Sequence, residues 1–181
     1  RLLSGEKENW RRNGDSDITS RICNFATDLC VLAGYMLIIG EELCHKYNMI
    51  NLHPATPYGP AGSWQEVIWA LIENKAKEAG AMIHLATPQL DRGPVVSYCL
   101  FPIKGEPFDR HWQGDNKAAL FELIRQHELA REFPLIILTL QALSLGKVSI
   151  KDGKVVDAQG KEIGGYDLTE EINWAVEGKL K

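Results

Sequence analysis

Residues 49–64 read Met49-Ile50-Asn51-Leu52-His53-Pro54-Ala55-Thr56-Pro57-Tyr58-Gly59-Pro60-Ala61-Gly62-Ser63-Trp64, and their pattern decides how the rest of the chain is understood. Met49, Ile50 and Leu52 form a short apolar run with Asn51 and His53 at alternate positions, so in a strand both polar side chains leave the same face. Pro54 removes the N–H that further pairing would need. The prolines and glycines that follow keep the chain irregular until a helix begins. An amide and an imidazole delivered at a strand end, next to a rigid loop, fit the way open α/β sheets build sites beyond the carboxyl ends of their strands.

The helix announces itself at Ser63-Trp64-Gln65-Glu66, a capping box in which hydroxyl and carboxylate satisfy the orphan N–H groups of the first turn. Val67, Ile68, Leu71 and Ile72 recur at helical spacing, charged residues occupy the other side, and Gly80 is the expected stop. From Gly80 to Phe101 the pattern is strand, loop, strand, with Asp91 in the loop. A helix joining two strands predicts a right-handed parallel crossover. That places the loops bearing His53 and Asp91 at one end of neighbouring strands. His84, inside the second strand, reads as structural, its ring satisfied locally.

Asn51-Leu52-His53-Pro54 followed by Leu90-Asp91-Arg92-Gly93-Pro94 across one helix closely resembles the folate-dependent formyltransferases, and among them most of all the type that acts on glycinamide ribonucleotide. The resemblance takes in Leu32-Ala33-Gly34-Tyr35-Met36 and extends to about Leu145. It implies a Rossmann-like α/β fold, a mostly parallel sheet with helices on both faces, here lacking the first strands. In that family a glycine-rich loop and the first strands precede this region, whereas these 181 residues open on Arg1-Leu2-Leu3-Ser4-Gly5. The N-terminal part of the family domain is therefore expected to be missing. Asn51, His53 and Asp91 are the implied catalytic residues. Met36, Leu37, Ile38 and Ile39, with Ala86, Thr87 and Pro88, are the implied folate side; Pro54, Gln126 and Glu128 are the implied amine side. Leu37, Ala55 and Leu129 depart from the family pattern, standing where Arg, Ser and Glu are usual.

The implied chemistry moves a formyl group from 10-formyltetrahydrofolate to a primary amine, glycinamide ribonucleotide first, with no metal. A tetrahedral species with a negative oxygen lies on the path. His53, held as imidazolium by Asp91, would donate to that oxygen together with Asn51, and Asp91 would pass the amine proton on. Ala55 removes the neighbouring hydroxyl as a nucleophile. Transfer to an amino sugar, hydrolysis of formyl-folate by the same residues, and a catalytically silent folate-binding relative stay open.

Composition sets the frame. With 45% apolar and 24% charged residues the chain reads as one ordinary globular unit. A net charge of -4 argues against a nucleic-acid partner. No apolar run approaches the roughly 18 residues of a membrane span, and the protein reads as cytoplasmic. The partners implied are a small-molecule amine and folate, and a homodimer is left open. Cys23, Cys30, Cys44 and Cys99 lack any metal or redox spacing and read as free thiols.

Residues 1–16 are polar around Trp10 and read as a mobile segment, with a single catalytic domain over 17–181. Asp17 is the expected cap of a helix to Phe25, and the run from Asp28 to Ala33 is expected as a central buried strand. Lys104 to Asp115 reads as a loop, and its Asp109 and His111 lack a third partner for a metal. Two helices are expected, over 116–126 and over about 128–145, the second carrying Pro134 and so a kink or break near Phe133. Asp152-Gly153 marks a small hairpin turn, and Leu168 to Leu180 a last helix capped by Asp167 or Thr169.

Overall fold

The computed structural model describes residues 14–35, 37, 39–114 and 116–177. In chain order the elements are α1 (14–22), β1 (Cys30–Leu32), α2 (Glu41–Lys46), β2 (Met49–His53), α3 (Trp64–Glu73), β3 (Glu78–Leu85), β4 (Val95–Pro102), α4 (Asp109–Gln113), α5 (Lys117–Ser144), β5 (Val148–Lys151), β6 (Lys154–Asp157), β7 (Tyr166–Asp167) and α6 (Thr169–Glu177). Most of the expected mobile segment lies outside the described residues. Its last residues, 14–16, already belong to α1, where Asp15 is buried.

The sheet runs β1-β2-β3-β4-β7 and is mixed, which corrects the mostly parallel expectation. β1 and β2 are parallel, as are β4 and β7, but β2–β3 and β3–β4 are antiparallel. For β3 to β4 the reason is length: a parallel return needs a crossover of a dozen or more residues, and only residues 86–94 intervene. For β2 to β3 the long loop 54–63 absorbs the reversal. α3 then hands the chain back to the sheet so that Met82 stands opposite His53. Alternating strand and helix patterns look the same in sequence whichever way the second strand runs.

The stop of α3 is also not where the glycine suggested. Lys75 takes up a left-handed φ of 50°, with the Lys75 N–H bonded to the Ile72 carbonyl at 3.2 Å and the Ala76 N–H to that of Leu71 at 2.9 Å, a Schellman closure. Gly80 lies inside β3, where any Cβ would strike the Cys99 carbonyl of β4. Among the described residues β1 pairs on one side only, with β2, and it is shorter than its apolar run implied. α5 is one continuous helix through Pro134. Its packing against β3, β4, α3 and α6 holds together a helix that proline alone would break. Residues 109–113 form the short helix α4 in place of a loop.

The capping box at Ser63 forms as its sequence requires. So does the hairpin, whose Asp152 and Gly153 both have positive φ, 50° and 72°, the signature of a type I′ turn. α6 begins at Thr169, whose N–H bonds to Asp167 Oδ1 at 2.9 Å. Alternation along β2 sorts the core. Ile50 joins Ile83, Leu135 and Ile172 on the side of α5 and α6, while Met49 joins Leu43 of α2 and Ile18 of α1. The four cysteines are free, and burial pushes the Cys99 thiol up to about 11, which leaves it unreactive. No described helix is long and apolar enough to cross a membrane.

Candidate active site

A cleft of about 420 Å³ opens over the ends of β1 and β2. Its floor holds Asn51, His53, His84 and Asp91. Asn51 and His53 come from one face of β2, and Asn51 stands directly opposite His84 of β3, so the antiparallel register puts the second histidine beside the amide. Asp91 arrives from loop 86–94, which folds back over the strands with Asp91 itself in a left-handed conformation at φ 51°. Two residues on, Gly93 is pressed so closely to the chain that a Cβ would run into the Leu85 carbonyl.

Asp91 lies between the two imidazoles. Its Oδ2 is 3.7 Å from His53 Nδ1 and its Oδ1 is 3.6 Å from His84 Nε2, with all three side chains almost wholly buried. The Pro/Gly loop 54–63 then clamps both members of the His53–Asp91 pair. The Gly62 N–H donates to Asp91 Oδ2 at 3.1 Å, and His53 Nε2 donates to the Pro60 carbonyl at 3.0 Å. On the other ring, His84 Nδ1 donates to the Leu85 carbonyl at 2.8 Å. Its Nε2 lies 3.3 Å from the Asn51 amide nitrogen and 3.6 Å from Asp91 Oδ1, so it accepts from the amide when the ring is neutral and donates to the carboxylate when the ring carries a second proton.

The electrostatics follow from these partners. Burial raises the Asp91 carboxyl, but His84, His53 and the Gly62 N–H outweigh it and hold the group below the usual carboxylate range. Burial drives the other way for His53: its ring sits below the ordinary imidazole value, although the Pro60 carbonyl and Asp91 both pull it up. The resting pair is therefore an ionised carboxylate beside a neutral imidazole, not the imidazolium expected from sequence.

The residues assigned from the resemblance fall out unevenly. Leu37, Ile39, Ala86 and Thr87 line one wall of the cleft together with Tyr35 and Leu90, and Pro54 also lines it. Pro88 is exposed and outside that lining, and Met36 and Ile38 lie outside the described residues. Gln126 is exposed on α5, and Glu128 is wholly buried behind the wall; neither reaches the cleft. Arg125 and Glu132 of the same helix do, facing Trp64 and Glu66 of α3. Sequence reading missed these two and His84. The signal for His84 was its place in a strand that pairs antiparallel with β2. Among the described residues no group of three or more His, Cys, Asp or Glu side chains is arranged to hold a metal ion.

Residues 2–106 match the family model described as formyl transferase, and the chain belongs to that family. It is similar to the phosphoribosylglycinamide formyltransferase of Escherichia coli (strain K12), 28% identical over 126 residues that cover 68% of this chain and 54% of that protein. It is also similar to that of Dictyostelium discoideum, 35% identical over 85 residues, 42% of this chain and 41% of the other. The chain spans about half the length of the curated relatives it matches. Among solved structures it resembles glycinamide ribonucleotide transformylase 1 from Symbiobacterium toebii, with a TM-score of 0.63 at 24% identity over 78% of this chain and 61% of that one. A formyltetrahydrofolate deformylase from Pseudomonas syringae pv. tomato str. DC3000 shares the fold with a TM-score of 0.62 at 22% identity, covering 80% of this chain and 45% of the other.

Proposed function

We infer that the protein transfers the formyl group of 10-formyltetrahydrofolate to a primary amine, with glycinamide ribonucleotide the leading acceptor. The observation that carries this reading is the floor of the cleft: an ionised carboxylate between two imidazoles, with an amide on the same face, under an apolar wall suited to a flat ring system. The names of the curated relatives point to the same acceptor.

The reaction needs little from the protein beyond placement and proton handling. The amine nitrogen attacks the formyl carbon and the carbonyl oxygen takes up negative charge. The Asn51 amide, aimed from the β2 face, donates to that oxygen. The amine must lose one proton and the departing folate nitrogen must gain one. Asp91, ionised at rest, accepts the first proton, and neutral His53 is able to share it as charge develops beside its ring. Collapse of the tetrahedral species then breaks the bond to the folate nitrogen, which takes the proton back from this pair. The products are the formylated amine and tetrahydrofolate, and the pair returns to its resting state. His84 fixes the amide of Asn51 and supports the charge on Asp91.

The same residues would act on water in place of the amine, which makes formyl-folate hydrolysis the competing reaction; a deformylase shares this fold. Incubating the protein with 10-formyltetrahydrofolate, with and without glycinamide ribonucleotide, separates the two. Amine-dependent release of tetrahydrofolate with a formylated product supports the transferase. Equal release without amine replaces it with the hydrolase, and no release in either case removes both.

A further inference from the structure

Loop 54–63 serves the cleft through Pro60 and Gly62, which hold His53 and Asp91. Residues 56–58 of the same loop line a second cavity, of about 260 Å³, which the formyl-transfer chemistry leaves unused. Alternation along β4 supplies another of its walls. Cys99 turns into the core on the side of α5 and α6, so Tyr98 and Leu100 leave the opposite face, half-buried, and line the cavity. Tyr58 joins them from the loop, left-handed at φ 63° and 84% exposed. Two glycines make room for the rings. The Tyr58 hydroxyl lies 3.7 Å from where a Cβ of Gly164 would stand, and a Cβ at Gly165 would press on Val95 at 2.8 Å and on the Tyr98 ring at 3.1 Å.

The lining selects the charge of a ligand. Glu78, exposed at the start of β3, lines the cavity with the two tyrosines, and among the described residues no Lys, Arg or His does. Burial, and then the Asp167 carboxylate beside it, hold the Tyr98 phenol above its usual value, so that ring stays neutral. An anion here would meet Glu78 with no compensating cation. A neutral apolar group would gain nothing from the carboxylate. An alkylammonium meets both: its charge is drawn to Glu78, and the tyrosine rings attract cations through their quadrupoles. We propose that this cavity, bounded by Tyr58, Tyr98 and Glu78, is a binding site for an alkylammonium group, separate from the formyl-transfer cleft. Its occupant touches the catalytic loop through Tyr58, two residues before Pro60, and none of the reacting groups.

The test is fluorine NMR of the full-length protein carrying fluorotyrosine, with the two signals assigned by Tyr58→Phe and Tyr98→Phe. Two matched pairs of probes are titrated: choline against the neutral alcohol in which carbon replaces its nitrogen, and Nα-acetyl-lysine methylamide against its norleucine counterpart. The first pair stands for a free small molecule and the second for a lysine side chain of a partner protein. In at least one pair the charged member is expected to shift both signals saturably and to bind about fivefold or more tightly than the neutral one. The pair that does so identifies the source. Tyr58→Asn removes the ring but keeps a residue that accepts a left-handed φ, and should weaken the charged probe about fivefold. Glu78→Gln should weaken it about threefold, and this exposed change decides the matter if Tyr58→Asn fails to fold by circular dichroism. Absence of a saturable shift, or equal binding of charged and neutral members in both pairs, overturns the proposal. So does an affinity that survives either substitution in a folded protein. None of these readings needs turnover, so failure of the formyl-transfer reading shows separately, in the folate incubation above.

Discussion

Asp91 and Glu128 are both buried carboxyl groups near one cleft, and the protein treats them in opposite ways. Asp91 receives an N–H from Gly62 and faces two imidazoles, so its pKa lies below the usual range despite burial. Glu128 is wholly buried and neither of its oxygens has a hydrogen-bond partner among the described residues. Its nearest cation, Arg125, is 3.6 Å away and already committed to Glu132, so burial pushes the Glu128 carboxyl up to about 8. Depth alone does not decide the charge of an acid. The donors that its neighbours aim at it do.

The comparison breaks most sharply at Asp91. Asp91→Asn keeps the shape and removes the charge, and should lower kcat/KM for formyl transfer by about 10²-fold or more while thermal unfolding changes little. Steady-state kinetics beside a melting curve check this, and a near-normal rate would remove Asp91 from the proton path. His84→Ala comes next, with a loss of about tenfold. Without His84 one of the groups that lower the Asp91 pKa is gone, so the acidic limb of the kcat/KM profile should move to higher pH. An unmoved limb would return His84 to a purely structural role.

Glu128 gives the converse. A carboxyl raised from 4.5 to about 8 binds more protons folded than unfolded between those values. Its contribution to stability is intact below pH 4.5 and is lost as pH rises toward 8. Glu128→Gln removes that penalty, and urea unfolding at pH 8 should show a gain on the order of a few kcal/mol that shrinks toward zero near pH 4. An equal effect at both pH values would mean that Glu128 is not the titrating group. Ser63→Ala is the gentlest change. It removes half of the capping box next to Gly62, costing about 1 kcal/mol, and urea midpoints should register that cost with only a small loss of activity. A large loss would show that the start of α3 governs how the Gly62 N–H meets Asp91.

The parts of this molecule that could be read from the sequence are those whose signals are local. The capping box, the Asp152-Gly153 turn, and the shared face of Asn51 and His53 each depend on residues a few positions apart. What could not be read depends on pairing direction and helix phase. Taking β2 and β3 as parallel hid the fact that His84 stands opposite Asn51, so a residue that lines the cleft looked like core. Breaking α5 in two hid its phase. In one continuous helix Arg125, Glu128 and Glu132 follow at i, i+3 and i+7 and share a side, which brings two of them to the cleft and leaves Gln126 facing away. The expected imidazolium at His53 failed for a third reason: desolvation depends on everything packed around a ring, and a nearby carboxylate in the sequence says nothing about that.

Gly93 carries a consequence that reaches past this one molecule. The loop that presents Asp91 closes only because position 93 has no side chain to meet the Leu85 carbonyl. A single added methyl group would displace the carboxylate without touching it. A copy of this gene that drifts at position 93 is expected to lose the placement of Asp91 while keeping every residue of the floor. Any screen for living and dead copies has to read the empty position with the charged one.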